Sequence, residues 1–334
     1  FKDTIDINKQ NKNGDTAFML AVSNNKNVEI IQYLCDTFKN TINFNKQNTS
    51  GNTALMFAAN YNTNVEVIQY IYSMCKNNFN ISKQNTSGTT VFMLAALNEN
   101  VKVIHFLYYN LKDKIDINKK NNDGDTAFIL AAQNTNINVV QFLYKIFKDK
   151  IDINTKTNNC HTAFSYAAEN TNVKVIQFLY DTFKDKISDF FAKCAFALAA
   201  QNENVEAITF LYQMYKDTID INHETLIGYT QLSCAVQNTN IEIIQFVYDT
   251  FKDKIDINKQ NMNGNSIFMF AVQNSNLKVV DFVYQKFKET ININQQNDDG
   301  NTALMLAVQN NENVEVLQYL YNTFKDTIDI NKQY

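Results

Sequence analysis

Apolar residues in this chain fall into alternating short and long runs. A short run rich in small residues, such as the one over residues 17–22, is followed by a long run in which Ile31, Leu34, Cys35 and Phe38 are spaced i, i+3, i+4 and i+7. This spacing puts the four side chains on one face of a helix. Most pairs of runs are followed by Ile-Asp-Ile-Asn and then by a polar stretch. The pattern predicts a helix, a turn, a second helix, an extended stretch and a polar finger in each unit.

The same unit recurs about every 36 residues. The seven glycines mark the period, since they are 36 or 37 residues apart except across two units that lack one: Gly14, Gly51, Gly88, Gly124, Gly228, Gly264 and Gly300. Cys160 and Ala192 fill the glycine slot in those two units. Nine units fit, so we expect residues 1–334 to form a single solenoid of about nine repeats. The unit near 187–222 is four residues short and is irregular.

Hydroxyl and amide side chains stand where helix caps are expected. In eight units a Thr or Ser is predicted to cap the first helix: Thr16, Thr53, Thr90, Thr126, Thr162, Thr230, Ser266 and Thr302. In all nine an Asn is predicted to cap the second helix: Asn27, Asn64, Asn100, Asn136, Asn172, Asn204, Asn240, Asn276 and Asn313. A further Asn, near the end of the first helix, is predicted to adopt the left-handed conformation: Asn24, Asn98, Asn134, Asn170, Asn202, Asn238, Asn274 and Asn310.

The composition argues against several classes of protein. With 45% hydrophobic and 13% aromatic residues the chain is too apolar to be disordered, yet no apolar run approaches the ~20 residues of a membrane helix. The formal net charge is −4 and every basic residue is lysine, whereas nucleic-acid readers depend on arginine. The five cysteines include no Cys-x-x-Cys pair, and no secretory leader follows Phe1. We therefore expect a cytoplasmic protein with reduced thiols that neither inserts into a membrane nor binds nucleic acid.

The repeated unit resembles the ankyrin repeat. The start of that motif, Gly-x-Thr-Pro-Leu-His-x-Ala-Ala, is similar to Gly51-Asn52-Thr53-Ala54-Leu55-Met56-Phe57-Ala58-Ala59. Its Val-Val-x-x-Leu-Leu is similar to Val67-Ile68-Gln69-Tyr70-Ile71-Tyr72, and its Asp-Val-Asn to Asp116-Ile117-Asn118. The chain departs from the motif systematically: Ala stands for Pro, mostly Met for His, Asn-x-Asn for Gly-His, and the second helix is about one turn longer.

The resemblance implies an all-α fold, an ankyrin-like helix-turn-helix solenoid with short β-hairpin-like fingers. It also implies a non-catalytic scaffold or adaptor that binds protein partners through a concave face of finger tips and first helices. Two alternatives stay open: a targeting or regulatory domain of a larger enzyme or channel, and a structural cytoskeletal element. Because neither end has a distinct polar cap, we expect a segment of a longer protein, with further repeats or partners covering both ends.

Equivalent positions of a solenoid form columns from repeat to repeat. A tyrosine column is expected to pack between repeats, with an aromatic binding stripe as the alternative: Tyr72, Tyr108, Tyr144, Tyr180, Tyr212, Tyr248, Tyr284 and Tyr321. A phenylalanine column one turn along is expected to do the same: Phe38, Phe147, Phe183, Phe251, Phe287 and Phe324. A lysine column stands beside acidic residues and suits the C-terminal ends of helices, which argues against polyanion binding: Lys39, Lys76, Lys112, Lys148, Lys184, Lys216, Lys252, Lys288 and Lys325.

No constellation of residues predicts catalysis, a cofactor or a metal ion. The glycines are single and a repeat apart, so no phosphate-binding loop is present. Cys160 and His161 are adjacent at a finger tip, and Cys194 and His223 follow in the next two units, but the ligand spacing of zinc motifs is absent. Carboxylates that recur with the repeat, such as Asp116, are expected to be structural.

Three successive finger positions in the middle of the chain are apolar instead of polar. An exposed apolar patch of this kind is typical of a partner-binding site. The candidate site therefore comprises six residues: Phe190, Phe191, Leu226, Ile227, Tyr229 and Met262. The alternative is that the two phenylalanines fill the space left by the missing residues or prolong the first helix of the short unit.

Overall fold

The computed structural model describes residues 5–38, 41–75, 83–201, 204–222, 228–310 and 313–328. The chain divides into two compact units, Phe1–Lys186 and Ile187–Tyr334. The boundary coincides with the beginning of the short repeat. The single solenoid over residues 1–334 stays a prediction, and each unit is described by itself below.

Helices account for most of the described residues. The first unit contains α1 (Ala17–Asn24), α2 (Val28–Phe38), α3 (Ala54–Tyr61), α4 (Val65–Cys75), α5 (Val91–Ala96), α6 (Val101–Leu111), α7 (Ala127–Gln133), α8 (Ile137–Phe147), α9 (Ala163–Glu169) and α10 (Val173–Phe183). The second unit contains α11 (Asp189–Gln201), α12 (Val205–Tyr215), α13 (Gln231–Ala235), α14 (Ile241–Phe251), α15 (Ile267–Ala271), α16 (Leu277–Phe287), α17 (Ala303–Asn310) and α18 (Val314–Phe324). Isolated antiparallel bridges join Gln10 to Thr16, Gln84 to Thr90 and Gln260 to Ser266, and no sheet is formed across the described ranges. The all-α class with hairpin-like fingers is confirmed.

Within each unit the helices form two layers. Odd-numbered helices pack on one another in chain order, even-numbered helices do the same, and each odd helix packs against the even helix that follows it. The short odd helices are enclosed by neighbours, so every residue of α5 is buried. The even helices are buried along one stripe, which in α6 includes Val103, Ile104 and Leu107. The two kinds of apolar run therefore correspond to an enclosed layer and a half-exposed layer.

The predicted N-caps of both helices are confirmed. In α1 the Thr16 hydroxyl accepts a hydrogen bond from the Met19 amide at 3.2 Å, and equivalent bonds begin the other odd helices except α11. In α6 the Asn100 side chain accepts from the Lys102 amide at 3.0 Å, and equivalent bonds begin the other even helices. Each such cap stabilises its helix by about 1 kcal/mol.

The left-handed conformation predicted for the Asn near the end of the first helix is wrong. Asn134, at the end of α7, has φ −75° and ψ 131°, which is extended backbone. Asn24 and Asn310 are the last residues of α1 and α17, and Asn202 lies outside the described residues. The other five side chains act instead as bridges between repeats: Asn98, Asn134, Asn170, Asn238 and Asn274.

The Asn98 amide nitrogen donates to the carbonyls of Ala59 and Asn62 in the preceding repeat, at 2.9 and 3.0 Å. Its oxygen accepts from the Asn100 amide at 2.9 Å. Equivalent bridges form, within each unit, what we call the amide ladder: Asn62, Asn98, Asn134, Asn170, Asn238 and Asn274. All six are buried, and the carbonyls that they bridge satisfy their side-chain amides.

The Ile-Asp-Ile-Asn stretch is a turn and not an extended segment. Asp116 accepts the Asn118 amide on its side chain at 3.0 Å and the Lys119 amide on its carbonyl at 3.3 Å. This is the turn that Asp favours by bonding to the backbone two residues on. The turn directs Ile117 into the core, where it is 2% exposed. The structural role expected for the recurring carboxylates is confirmed by these bonds.

The aromatic columns pack between repeats as predicted. Tyr144 lies edge-to-face against Phe178 and Phe183 of the next repeat, with ring centroids 5.9 and 5.3 Å apart. Tyr108 and Tyr212 each make the same pair of contacts with two phenylalanines of the repeat that follows them. Edge-to-face pairs add about 1 kcal/mol each to the burial of the rings.

The short repeat begins with a helix where the others have a finger. α11 has 13 residues, whereas the other odd helices have 5 to 8. Phe190 and Phe191 lie in the first turn of α11. The two residues therefore prolong the first helix of this repeat, and their membership of a binding patch stays a prediction.

Candidate functional site

Each finger is a five-residue loop closed by its first residue. In the finger 48–52 the Asn48 amide donates to the Asn52 carbonyl at 3.0 Å, and the Asn48 side-chain oxygen accepts from the Asn52 amide at 2.8 Å. The Gly51 amide donates to the Asn48 carbonyl at 2.9 Å. Backbone bonds of this pattern close the described fingers: 11–15, 48–52, 85–89, 121–125, 157–161, 261–265 and 297–301. These bonds hold every finger in the same shape.

Neighbouring fingers are also joined backbone to backbone. The Thr49 amide donates to the Asn13 carbonyl at 3.1 Å, and further along the Asn158 amide donates to the Asp123 carbonyl at 2.8 Å. In the second unit the Asp298 amide donates to the Asn263 carbonyl at 3.1 Å. We call each joined set a finger row: five fingers from 11–15 to 157–161 in the first unit, and 261–265 with 297–301 in the second.

The close approach of fingers explains the glycine slot. Gly51 has a φ of +74°, and a Cβ added there would lie 2.7 Å from the Thr86 backbone nitrogen of the next finger. Glycine is therefore needed both for its conformation and for the space. Cys160 is the one described residue other than glycine with a positive φ, at 63°. The repeat that follows it begins with α11 and has no finger.

Finger tips in the first unit present polar side chains to solvent. The exposed tip residues there include Lys12, Asn13, Thr49, Ser50, Thr86, Ser87, Asn122, Asp123, Asn158 and Asn159. In the second unit Met262 occupies the same slot as Lys12 and is 65% exposed. A large apolar side chain thus replaces a polar one at the tip.

The structure describes four of the six predicted patch residues. Phe190 and Phe191 are half-buried and contact each other edge-to-face, with ring centroids 5.4 Å apart. Tyr229 is half-buried against Phe270, at 5.0 Å. Met262 lies against the preceding finger, because a Cβ on Gly228 would come within 2.7 Å of it.

The other two patch residues, Leu226 and Ile227, lie outside the described residues. The structure therefore places Met262 against Gly228, the residue before Tyr229, and the complete patch stays a prediction.

The repeated unit matches a known family along the whole chain. A family model of three consecutive ankyrin repeats matches overlapping segments at residues 2–85, 37–121, 62–157, 92–190, 164–261 and 232–334. The chain belongs to the ankyrin-repeat family. Ankyrin repeats generally mediate protein–protein interaction, and the predicted family and fold class are both confirmed. No curated protein matches this sequence.

The lysines of these ankyrin repeats lie where the helix dipole favours them. Lys112, Lys148 and Lys252 directly follow the last residues of α6, α8 and α14, and the other described members of the column are placed alike. Lys39 and Lys76 lie outside the described residues. No helix in the described part of the chain is long and apolar enough to cross a membrane.

The cysteine and histidine residues are distributed over both units. Cys160 and His161 belong to the first unit and Cys194 to the second, while His223 lies outside the described residues. His105 packs on the Phe142 ring with centroids 4.0 Å apart, and burial lowers its pKa. Among described residues, no three or more His, Cys, Asp and Glu side chains are grouped so as to hold a metal ion.

The finger of ankyrin repeat five lacks a side-chain bond that several other fingers make. In three fingers the Asn that begins the finger also donates to the finger before it: Asn48 to the Asp15 carboxylate at 2.8 Å, Asn85 to the Asn52 side chain at 3.0 Å, and Asn297 to the Asn265 side chain at 2.8 Å. In repeat five this position is Thr157, which has no amide group.

Asp125 in the preceding finger therefore lacks the donor that Asp15 has. Its Oδ1 is buried with no hydrogen-bond partner among the described residues, and its Oδ2 accepts from the Asn121 amide nitrogen at 3.1 Å. Burial raises the pKa of Asp125, and the charge of Asp123 raises it further, while the Asn121 hydrogen bond and His161 oppose the shift.

His161 follows Asp125 in the next finger, at the equivalent position. Its ring stacks on Tyr166 of α9, with centroids 5.0 Å apart and planes 21° apart. Burial lowers the pKa of His161, and the Asp125 charge opposes this. Burial raises the pKa of Tyr166, and the charges of Asp125 and Glu169 raise it further.

Tyr166 also lines a cavity of about 280 Å³ together with Gln133, Glu169 and Asn170. This group of side chains was not predicted from the sequence. The signal that could have revealed it is Thr157, which interrupts a column of asparagines, with Glu169 in a slot that is Gln in several other repeats.

Proposed function

We propose that this chain is a non-catalytic scaffold that binds protein partners through its fingers and first helices. The observation that carries the proposal is the finger row. Its loops are closed internally and joined backbone to backbone, so the exposed tip side chains stand on a fixed support. Preorganised contact residues lower the entropy lost on binding.

We further propose that a partner is bound at the apolar patch of the second unit, which comprises Phe190, Phe191, Leu226, Ile227, Tyr229 and Met262. Support comes from Met262, which is 65% exposed at a slot where the first unit places polar residues. Full burial of such a side chain contributes about 1.5–3 kcal/mol. A large apolar group held in solvent on a rigid loop is the kind of residue that carries binding energy.

The location and context of the protein stay predictions. A cytoplasmic location is consistent with Cys35, Cys160 and Cys234, which are free thiols. The alternative roles are a targeting or regulatory domain of a larger enzyme or channel and a cytoskeletal element.

Site-specific photo-cross-linking tests the patch. We would place p-benzoylphenylalanine at Met262 and, as matched control, at Lys12, which occupies the same slot of a polar finger. The expected result is a cross-linked protein recovered from cell extract at Met262 and lost when Phe191→Asp is added. Equal recovery of the same protein with Phe191→Asp and with Tyr229→Asp, in variants whose circular dichroism is unchanged, contradicts the patch.

A further inference from the structure

Repeat three, which contains α5 and α6, has a cavity of about 230 Å³ between the start of α5 and the turn that follows α6. Its apolar lining includes Val91, Phe92 and Leu111, which are all buried. Two lysines, Lys114 and Lys119, also line it. The cavity therefore combines an apolar surface with two positive charges.

The apolar lining includes a departure from the repeat. Leu111 stands in the phenylalanine column, where most other repeats have phenylalanine, such as Phe147 in repeat four. Phe147 is buried against Phe92 and Tyr108, with ring centroids 6.4 and 5.6 Å apart. Leucine is smaller than phenylalanine, and protein interiors are otherwise packed with few voids. We therefore attribute part of the open volume to Leu111.

The two lysines have no partner among the described residues. In three other repeats the lysine at the position of Lys119 donates to a carbonyl of the preceding repeat, as Lys46 does to Asn8 at 2.8 Å. Neither Lys119 nor Lys114 makes a hydrogen bond or an ion pair through its Nζ with any residue that the structure describes. Their ammonium groups are therefore available to a ligand.

The other polar groups of the lining also favour an anion that accepts hydrogen bonds. Among the described lining residues Asp116 is the one carboxylate, and its Oδ1 already accepts the Asn118 amide at 3.0 Å. The two ammonium groups therefore exceed the negative charge. Thr90 adds a hydroxyl whose oxygen accepts the Met93 amide at 3.3 Å, which leaves its O–H to donate.

We propose that this cavity binds a carboxylate carried on a short apolar stem. Lys114, Lys119 and Thr90 donate hydrogen bonds to the carboxylate, and the stem packs against the apolar lining. An inorganic anion would leave that lining without a contact, whereas an uncharged ligand would leave the ammonium groups unpaired. The volume is below the roughly 300–1,000 Å³ of sites for drug-sized ligands, so the occupant is small. The proposal goes beyond the proposed function, since it uses the first unit and no residue of the patch.

Nuclear magnetic resonance titration of the whole chain tests the cavity. The probe is sodium butanoate at millimolar concentration, and the signal is the δ1 methyl group of Ile115, which lines the cavity and is assigned with Ile115→Val. Butanamide has the same shape without the charge and should bind about fivefold more weakly, as for one ion pair. Acetate has the charge without the stem and should bind about tenfold more weakly, because two methylene groups are lost from the apolar contact.

A free acid and a glutamate side chain of a partner protein carry the same chemistry. The peptide acetyl-Gly-Gly-Glu-Gly-Gly-amide, with its glutamine analogue as control, separates the two sources. The tighter of the two carboxylates, butanoate or the glutamate peptide, identifies the source. If neither carboxylate binds more tightly than its uncharged control, the proposal is overturned.

Leu111→Phe tests whether the ligand occupies the open volume. It introduces the residue that most other repeats have in this column, so the fold tolerates it. The larger ring takes up part of the cavity and should weaken the tighter carboxylate at least about tenfold. An unchanged affinity in a variant with unchanged circular dichroism shows that the ligand binds elsewhere and overturns the proposal.

Lys119→Gln tests the charge. Glutamine is found in the same slot at Gln295, so the fold tolerates it, and the variant should weaken the tighter carboxylate about fivefold without changing the affinity of its uncharged control. Lys150→Thr removes the counterpart of Lys114 in repeat four and should leave both affinities unchanged. Equal carboxylate affinity in Lys119→Gln and wild type, or an equal loss in Lys150→Thr, overturns the proposal. None of these measurements depends on the Met262 cross-link, so the failure of either proposal leaves the other standing.

Discussion

The second and fifth fingers of the first unit occupy equivalent places but use their polar groups differently. In the second finger Asn48 closes its own loop and donates to Asp15 of the finger before it. In the fifth finger Thr157 also closes its loop, through the His161 amide at 3.1 Å, but Asp125 of the finger before it keeps an unsatisfied oxygen. An asparagine at the start of a finger can therefore satisfy a carboxylate of its neighbour, whereas threonine at the same position leaves that carboxylate oxygen without a donor.

A substitution at the glycine slot is expected to have the largest effect on stability. Gly51→Ala should destabilise the first unit by about 3 kcal/mol or more, because alanine is strained at positive φ and its Cβ meets the Thr86 backbone. Hydrogen exchange of the Thr86 amide, which donates to the Ser50 carbonyl, measures the local effect.

The fifth finger provides the matched control for that change. Cys160→Gly should stabilise by about 1 kcal/mol, since it removes a side chain from a left-handed position and introduces no contact. If Gly51→Ala and Cys160→Gly change protection in the same direction, the explanation of the glycine slot is wrong.

Introducing the threonine of the fifth finger into the second finger is expected to have a smaller effect on stability. Asn48→Thr removes the donor to Asp15, which is 9% exposed, and should destabilise by about 2 kcal/mol because a buried carboxylate oxygen loses its partner. Urea unfolding followed by hydrogen exchange in fingers 11–15 and 48–52 measures it. The exposed change Asn159→Thr is the control. Equal stability of Asn48→Thr and wild type would show that the bond contributes nothing.

The reverse change, Thr157→Asn, should stabilise by about 1 kcal/mol at neutral pH by supplying Asp125 with a donor. The sign with pH follows from the raised pKa of Asp125. The folded chain holds this proton more tightly than the unfolded chain, so stability falls as pH rises from the ordinary carboxyl pKa to the raised one. The asparagine lowers the raised pKa, so its benefit should appear above that window and shrink below it.

If Thr157→Asn increases stability by the same amount at every pH, the gain would instead indicate improved packing. The pH series is measured by denaturant unfolding of both proteins, with Asp125→Asn as the control that abolishes the titration. His161 contributes in the opposite direction: its lowered pKa makes stability rise as pH rises toward its ordinary value. The His161→Gln background separates the two titrations.

Local rules accounted for most of the fold. Thr16 and Asn100 could be recognised as caps because a cap bonds within its own helix, two or three residues away. The role of Asn98 could not be recognised in this way, since its partners Ala59 and Asn62 are in another repeat. The left-handed conformation was the local explanation for this Asn, and the bridge between repeats is the one that the structure has.

The candidate site was less predictable for the same reason. The composition of the short unit identified Phe190 and Phe191 as unusual but left their role open, and only the structure shows them in the first turn of α11. Asp125, His161 and Tyr166 come together through the stacking of repeats four and five. Their sequence positions give no distance, and only the interrupted asparagine column at Thr157 indicated a change there.

The amide ladder has a consequence for how such a protein can change in length. Each asparagine of the ladder donates its hydrogen bonds to main-chain carbonyl oxygens, as Asn134 does to those of Ala96 and Asn98. Carbonyls are the same whatever side chain they belong to. One repeat can therefore be duplicated, deleted or exchanged for another without a compensating substitution in its new neighbour, and the variable tip residues travel with it.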